Sequence, residues 1–225
     1  MPKTWPLVVM SIVGAGWAVS ARRPAPSLPA DPAQIPVEAQ LSSTRLRADL
    51  DGDGRREVLR LVNALTGADA VEKGSEVALA VYSEDGKTLL WKRYVMQETG
   101  APAHDGELTA ADLDGDGGSE LILSWDRSLV ADRIDRWAEI YAVDDPRRPR
   151  RVWEGSWERD TRRDAATPQA EREWFQCDID YGATRRLAGR AIVLLKKVRA
   201  RGGVMLDPPQ VSRSTVSLRL RSLAP

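Results

Sequence analysis

The sequence predicts a mainly β protein built from antiparallel, blade-like repeats, a partial or small propeller-like array, with an irregular β-sandwich as the alternative. Three observations carry this. The run Asp49-Leu50-Asp51-Gly52-Asp53-Gly54 with Glu57 returns 63 residues later as Asp112-Leu113-Asp114-Gly115-Asp116-Gly117 with Glu120. Each run passes into residues that favour strands, Val58, Leu59, Leu61 and Val62 in one copy and Leu121, Ile122 and Leu123 in the other. The phase also holds at a distance, because Trp91 lies 42 residues after Asp49 and Trp153 lies 41 after Asp112. A repeat that keeps both its loop and its remote tryptophan in step is a structural unit.

The elements follow in order. Residues 1–21 have the layout of a secretory signal: Lys3, an apolar run from Leu7 to Val19, then small residues at Val19-Ser20-Ala21. Thirteen helical residues rise about 20 Å, short of the roughly 30 Å of bilayer hydrocarbon, so the expectation is a cleaved signal with no membrane span left after it. Residues 22–40, punctuated by Pro24, Pro26, Pro29, Pro32 and Pro36, read as a stiff linker. The β-repeat domain occupies 41–225, with units at about 41–103 and 104–160 and a degenerate third at 170–225.

Within the first unit, Glu76 to Tyr82 alternates as a strand. Ser83-Glu84-Asp85-Gly86 turns, and a return strand ends at Trp91. The second unit repeats this from Trp137 to Val143, through Asp144-Asp145-Pro146, to Trp153. Glu158 to Arg172 is charged and reads as a surface loop. In the third unit Asp178 and Asp180 echo the loop without its paired glycines, and strands are expected from Ala191 to Val198 and from Ser214 to Leu223. Cys177, the only cysteine, alternates with Phe175, Ile179 and Tyr181 and reads as a buried strand position, so no disulfide within the chain can form.

The net charge of zero conceals a gradient. Pro36 to Asp126 carries 18 acidic and 9 basic side chains, whereas Ala183 to Pro225 carries 10 basic and 1 acidic. The basic stretch lacks the interleaved aromatics on which nucleic-acid grooves stack bases, so no nucleic-acid partner is expected. Opposite charge on two faces of one domain accounts for the gradient.

Carboxylates on alternate residues of a tightly curled loop point inward together, which suits a hard divalent cation needing six to eight oxygens. The first ligand set is Asp49, Asp51, Asp53, the carbonyl of Arg55 and Glu57. The second is Asp112, Asp114, Asp116, the carbonyl of Gly118 and Glu120. Gly54 and Gly117 stand where the chain must turn sharply. Two calcium ions are expected, since the oxygen ligands are numerous and flexible. Zinc is disfavoured because Cys177 and the only histidine, His104, lie outside both loops. A helix–loop–helix calcium hand would need Glu at the twelfth loop position, where Arg60 and Leu123 stand.

On these residues the chain resembles the FG-GAP/VCBS repeat family, whose repeats form blades of integrin-type β-propellers and occur in secreted bacterial proteins. The likeness covers about residues 40–157. It implies calcium in the loop between two strands of a blade, held by Asp49, Asp51, Asp53 and Glu57 and by Asp112, Asp114, Asp116 and Glu120. Glu stands at the last position, where the family more often has Asp.

The function expected from the sequence is that of an exported calcium-binding repeat protein, secreted, periplasmic or on the cell surface. It would act as a binding or scaffolding module for a protein or carbohydrate ligand, with its calcium structural. The alternative is a secreted hydrolase, possibly carbohydrate-active, using Asp178 and Asp180 as paired carboxylates or His104 beside Asp105 as a general base. No nucleophile elbow, phosphate loop or zinc motif supports an enzyme.

Overall fold

In the computed structural model, residues 29–66, 74–95, 103–128, 132–187 and 191–218 are described. The expected export signal, 1–21, lies outside them. No helix among the described residues is long and apolar enough to cross a membrane.

Alternating side chains and short turns give eleven antiparallel strands among the described residues. β1 (Gln40–Ala48), β2 (Glu57–Thr66), β3 (Gly74–Tyr82) and β4 (Leu89–Tyr94) form one four-stranded meander. β5 (His104–Ala111), β6 (Glu120–Asp126), β7 (Ile134–Ala142) and β8 (Arg150–Asp160) form a second. β9 (Glu173–Ile179), β10 (Ala191–Arg201) and β11 (Val204–Ser217) add three strands to that second sheet, giving seven in sequential order. The protein is therefore mainly β, and among the described residues the strands close neither a barrel nor a propeller ring.

Side-chain alternation decides how the strands stack, because residues two apart share a face. Leu121, Leu123, Trp125 and Tyr141 of β6 and β7 share a core with Leu59, Leu61, Val77, Leu79 and Val81 of the first sheet. Their neighbours Ile122, Ile140 and Ala142 face the other way, into a core with Ile179, Ile192, Leu194 and Val216 of β9–β11. The second meander is thus the middle of three layers. The bend that allows this lies between β8 and β9, which pair only at Glu158–Gln176, Arg159–Phe175 and Asp160–Trp174.

One glycine ties the first two layers together. Buried Asn63 of β2 accepts from the Gly106 backbone N–H at 2.7 Å and donates to the Gly106 carbonyl at 3.2 Å. A Cβ on Gly106 would lie 2.5 Å from Val77 Cγ1 and 2.8 Å from Asn63 Oδ1. Gly106→Ala is expected to destabilise by about 1–3 kcal/mol, as overpacking does, and to break the Asn63 clamp. Equilibrium urea unfolding reads this, and an unchanged midpoint would contradict the clamp.

Several sequence expectations need correction. The described part of the 22–40 stretch does not run free as a linker. Residues 29–39 form a strap over the outer face of the first sheet, through two 3-10 turns, Pro32–Gln34 and Val37–Ala39. Ile35, 2 % exposed, packs there with Val62, Ala64, Ala78 and Tyr94. The hydroxyl of Tyr94 donates to the Pro29 carbonyl at 2.5 Å, Lys92 to that of Ala30 at 2.6 Å, and Tyr82 donates to the Asp31 carboxylate. One well-placed isoleucine and two tyrosines suffice where proline content suggested no packing.

Glu158–Asp160 belong to β8 rather than to a loop, because they pair with both β7 and β9. In the connection that follows, Thr161 and Asp164 are buried. The final strand begins at Val204, ten residues before the expected Ser214, because β11 follows β10 along its length. Tyr181 leaves the β9 alternation and opens α1 (Tyr181–Arg186), half exposed, while Cys177 stays in β9, partly buried, its thiol 3.6 Å from the Ser156 carbonyl.

Candidate metal centre

Each Asp-rich loop joins the first strand of its meander to the second, β1 to β2 and β5 to β6. Both close through the same five hydrogen bonds. In the first, the N–H groups of Gly52 and Gly54 donate to the two oxygens of Asp49, at 2.8 and 2.9 Å. Asp53 N donates to Asp51, Arg55 N to Asp53, and Leu50 N to Glu57 Oε2. In the second, Gly115 and Gly117 donate to Asp112, Asp116 to Asp114, Gly118 to Asp116, and Leu113 to Glu120 Oε2. The curl needs left-handed backbone at two residues per loop. φ is +74° and +87° at Gly52 and Gly54, and +85° and +99° at Gly115 and Gly117. Only glycine adopts such angles at little cost, which is why the glycines pair.

The carboxylates converge in both loops but not identically. Asp49, Asp51 and Asp53 bring oxygens within 4.8 Å of one another, as do Asp112, Asp114 and Glu120. Glu57 and Asp116 stand outside these closest groups. They stay electrically close: beyond the larger effect of burial, the charges of Asp51 and Asp53 raise the Glu57 pKa and that of Asp116 acts likewise on Asp114 and Glu120. Arg55 and Gly118 stand at equivalent points, each donating its N–H to the aspartate two residues earlier.

Exposure separates the two loops. Asp51 and Asp53 are exposed and border a cavity of about 480 Å³ that is also lined by Asp85 and Asp145 of the β3–β4 and β7–β8 turns and by Arg55 and Arg147. In the second loop Asp114 is 3 % exposed, while the two glutamates, Glu57 and Glu120, are buried alike. Burial first, and after it the charges of Asp114 and Asp116, push the Glu120 carboxyl up to about 8, despite the Leu113 N–H that favours its ionised form. Burial likewise raises Asp114 and Glu57.

The donor set is all oxygen and crowded, and this fits a hard divalent cation. Without one, a proton on Glu120 relieves the crowding. Asp49, Asp51, Asp53 and Glu57 would hold one ion and Asp112, Asp114, Asp116 and Glu120 a second.

A further relation was invisible in the sequence: the two loops touch. Ser119 N donates to the Asp49 carbonyl at 2.9 Å. A Cβ on Gly118 would meet the Leu50 carbonyl at 3.0 Å, and one on Gly52 would lie 3.4 Å from Gly118 N. The layer stacking brings them together, and no local motif encodes it.

In the third layer the corresponding β9–β10 connection is α1. Asp180 caps it, accepting from Ala183 N at 2.9 Å, with Arg213 3.5 Å away. Asp178 accepts from Ile179 N and lies 3.7 Å from Lys197. The expected pairing of these two carboxylates on one strand face does not occur, since Asp180 has left the strand. His104 contacts the Ser128 carbonyl through Nε2 at 2.6 Å and Asp105 through Nδ1 at 3.2 Å. Burial lowers its pKa, but these two acceptors outweigh that and hold it above the ordinary value.

No family model, no curated protein and no solved structure matches the chain.

Proposed function

We propose that the chain is an exported, calcium-binding repeat protein that acts as a binding or scaffolding module. Its two ions are structural, each fixing the loop between the first and second strands of a meander. One observation carries the reading: the same nine-residue span, Asp49–Glu57 and Asp112–Glu120, folds twice through five matching hydrogen bonds and gathers its carboxylates each time. Three carboxylates with oxygens within 4.8 Å of one another in each loop repel by several kcal/mol at an effective dielectric near 20, and a dication removes that repulsion. Rigid loops on a β scaffold then present contacts to a partner. The resemblance to FG-GAP/VCBS repeats supports the same conclusion from the residues alone.

The test is calcium added to chelator-stripped protein. At about a hundredfold excess over the dissociation constant each site contributes about 2.7 kcal/mol, which raises the melting temperature by roughly 5–10 °C per site in a domain of this size. Calorimetry should count two ions, and Asp51→Asn or Asp114→Asn should each remove one. A melting temperature indifferent to calcium would refute the reading.

A further inference from the structure

Away from the acidic loops, the outer face of the first sheet carries two arginines with no ion-pair partner among the described residues. Arg45 of β1 and Arg60 of β2 are direct cross-strand partners. Like charges placed so cost stability when nothing lies between them. Neither makes an ion pair or hydrogen bond among the described residues. Both line a cavity of about 340 Å³ with Ser43, Thr44, Tyr82 and Gly86.

The guanidinium of Arg45 is placed rather than trailing in solvent. Its Nη2 lies 3.3 Å from where a Cβ on Gly86 would stand, and that Cβ would be 3.7 Å from Val58 Cγ2. The side chain therefore crosses β2 and rests over the β3–β4 turn, where glycine leaves it room. Asp31, which like Arg60 acts on Tyr82, accepts from the Tyr82 hydroxyl and the Ala33 N–H and pairs with neither arginine. Exposed cations do protect an edge strand such as β1 from pairing with another chain. That purpose does not explain Arg60, which is half-buried on an interior strand.

We propose that this cavity binds a small oxyanion, the sulfate, phosphate or carboxylate group of a ligand, clamped between the guanidinium groups of Arg45 and Arg60. Planar guanidinium donors match such oxygens pairwise, and the anion converts a repulsive pair into two charge-assisted contacts. Ser43, two residues before Arg45 and so on the same face, supplies a further hydroxyl donor on the cavity wall.

The experiment follows the melting temperature and binding heat of the purified chain, in millimolar calcium, with sodium sulfate, methyl phosphate or acetate against chloride at matched ionic strength. At least one of the three oxyanions should give a saturable rise, and which one identifies the ligand chemistry. Arg60→Gln and Arg45→Gln should each weaken that binding at least about tenfold. Arg47→Gln, on the same strand but outside the cavity, should leave it unchanged. Because calcium is present throughout and the acidic loops are untouched, failure here is separable from failure of the calcium reading. No saturable response to any oxyanion, or equal loss in Arg47→Gln, overturns the proposal.

Discussion

Arg93→Ala is expected to lose about 3–5 kcal/mol of unfolding free energy, the cost of stranding a buried charge. Arg93 of β4 and Glu139 of β7 are 5 % and 1 % exposed, and they face each other across the first two layers. The guanidinium grips the carboxylate with Nη2 at 2.7 Å and Nε at 3.1 Å. Tyr141 donates to the second oxygen at 2.6 Å and Arg151 to the first at 2.7 Å. Burial alone would raise the Glu139 pKa, but the Arg93, Tyr141 and Arg151 donors hold it below the usual carboxylate range. Its share of stability is thus present above the unfolded value and lost as the pH falls through the folded one.

Equilibrium urea unfolding provides the measurement, with two comparisons to fix the cause. Arg151→Ala removes a partner whose side chain is 43 % exposed, and the loss should be no more than about 1 kcal/mol. Arg93→Met with Glu139→Leu removes both buried charges, and much of the single-variant loss should return, as apolar replacements of buried ion pairs often do. If Arg93→Ala cost less than Arg151→Ala, the buried pair would not be what docks the layers. The same docking carries the Ser119–Asp49 hydrogen bond, so a loosened interface should also weaken cation binding.

What the sequence discloses and what it hides follow from the range of the interactions. The paired glycines, the alternate carboxylates and the period-two strands are local, and β3, β4, β6, β7, β8 and β10 emerge close to where alternation puts them. The strap at 29–39 was hidden because composition averages over a proline-rich stretch, whereas packing depends on Ile35 alone meeting a small-residue surface at Ala64 and Ala78. Asp180 looked like a strand acid because a single Asp can equally continue a strand or cap a helix, and the choice rests on Ala183 N finding it. Within the acidic loops the residues were legible but their inequality was not. Burial of Asp114 against exposure of its counterpart Asp51, and the greater rise of the Glu120 carboxyl than of Glu57, depend on which layer covers which loop, and the two loops have nearly the same sequence.

That inequality yields the second large effect, a pH dependence of opposite sign with and without cation. In cation-free protein the Glu120 carboxyl is protonated up to about 8, chiefly because it is buried and then because Asp114 and Asp116 crowd it. In the unfolded chain the same group titrates near its ordinary value of about 4.3. Between these values the folded state holds a proton that the unfolded state releases, so this contribution is complete below the unfolded value and disappears as the pH climbs through about 8. The melting temperature of stripped protein should therefore fall from pH 6 towards pH 9. The full separation corresponds to roughly 5 kcal/mol, and splaying of the loop reduces it. His104, raised by its Ser128 and Asp105 acceptors, pulls in the same direction, so the control is Glu120→Gln, which should flatten the alkaline limb and leave the histidine share. With calcium the sign reverses, because the ion must displace that proton and binds more tightly as the pH rises. A proton released into weakly buffered solution as calcium fills the second loop, and absent in Glu120→Gln, would identify Glu120 as the group that cation and proton contest; stripped protein equally stable at pH 6 and 9 would show that no such contest exists.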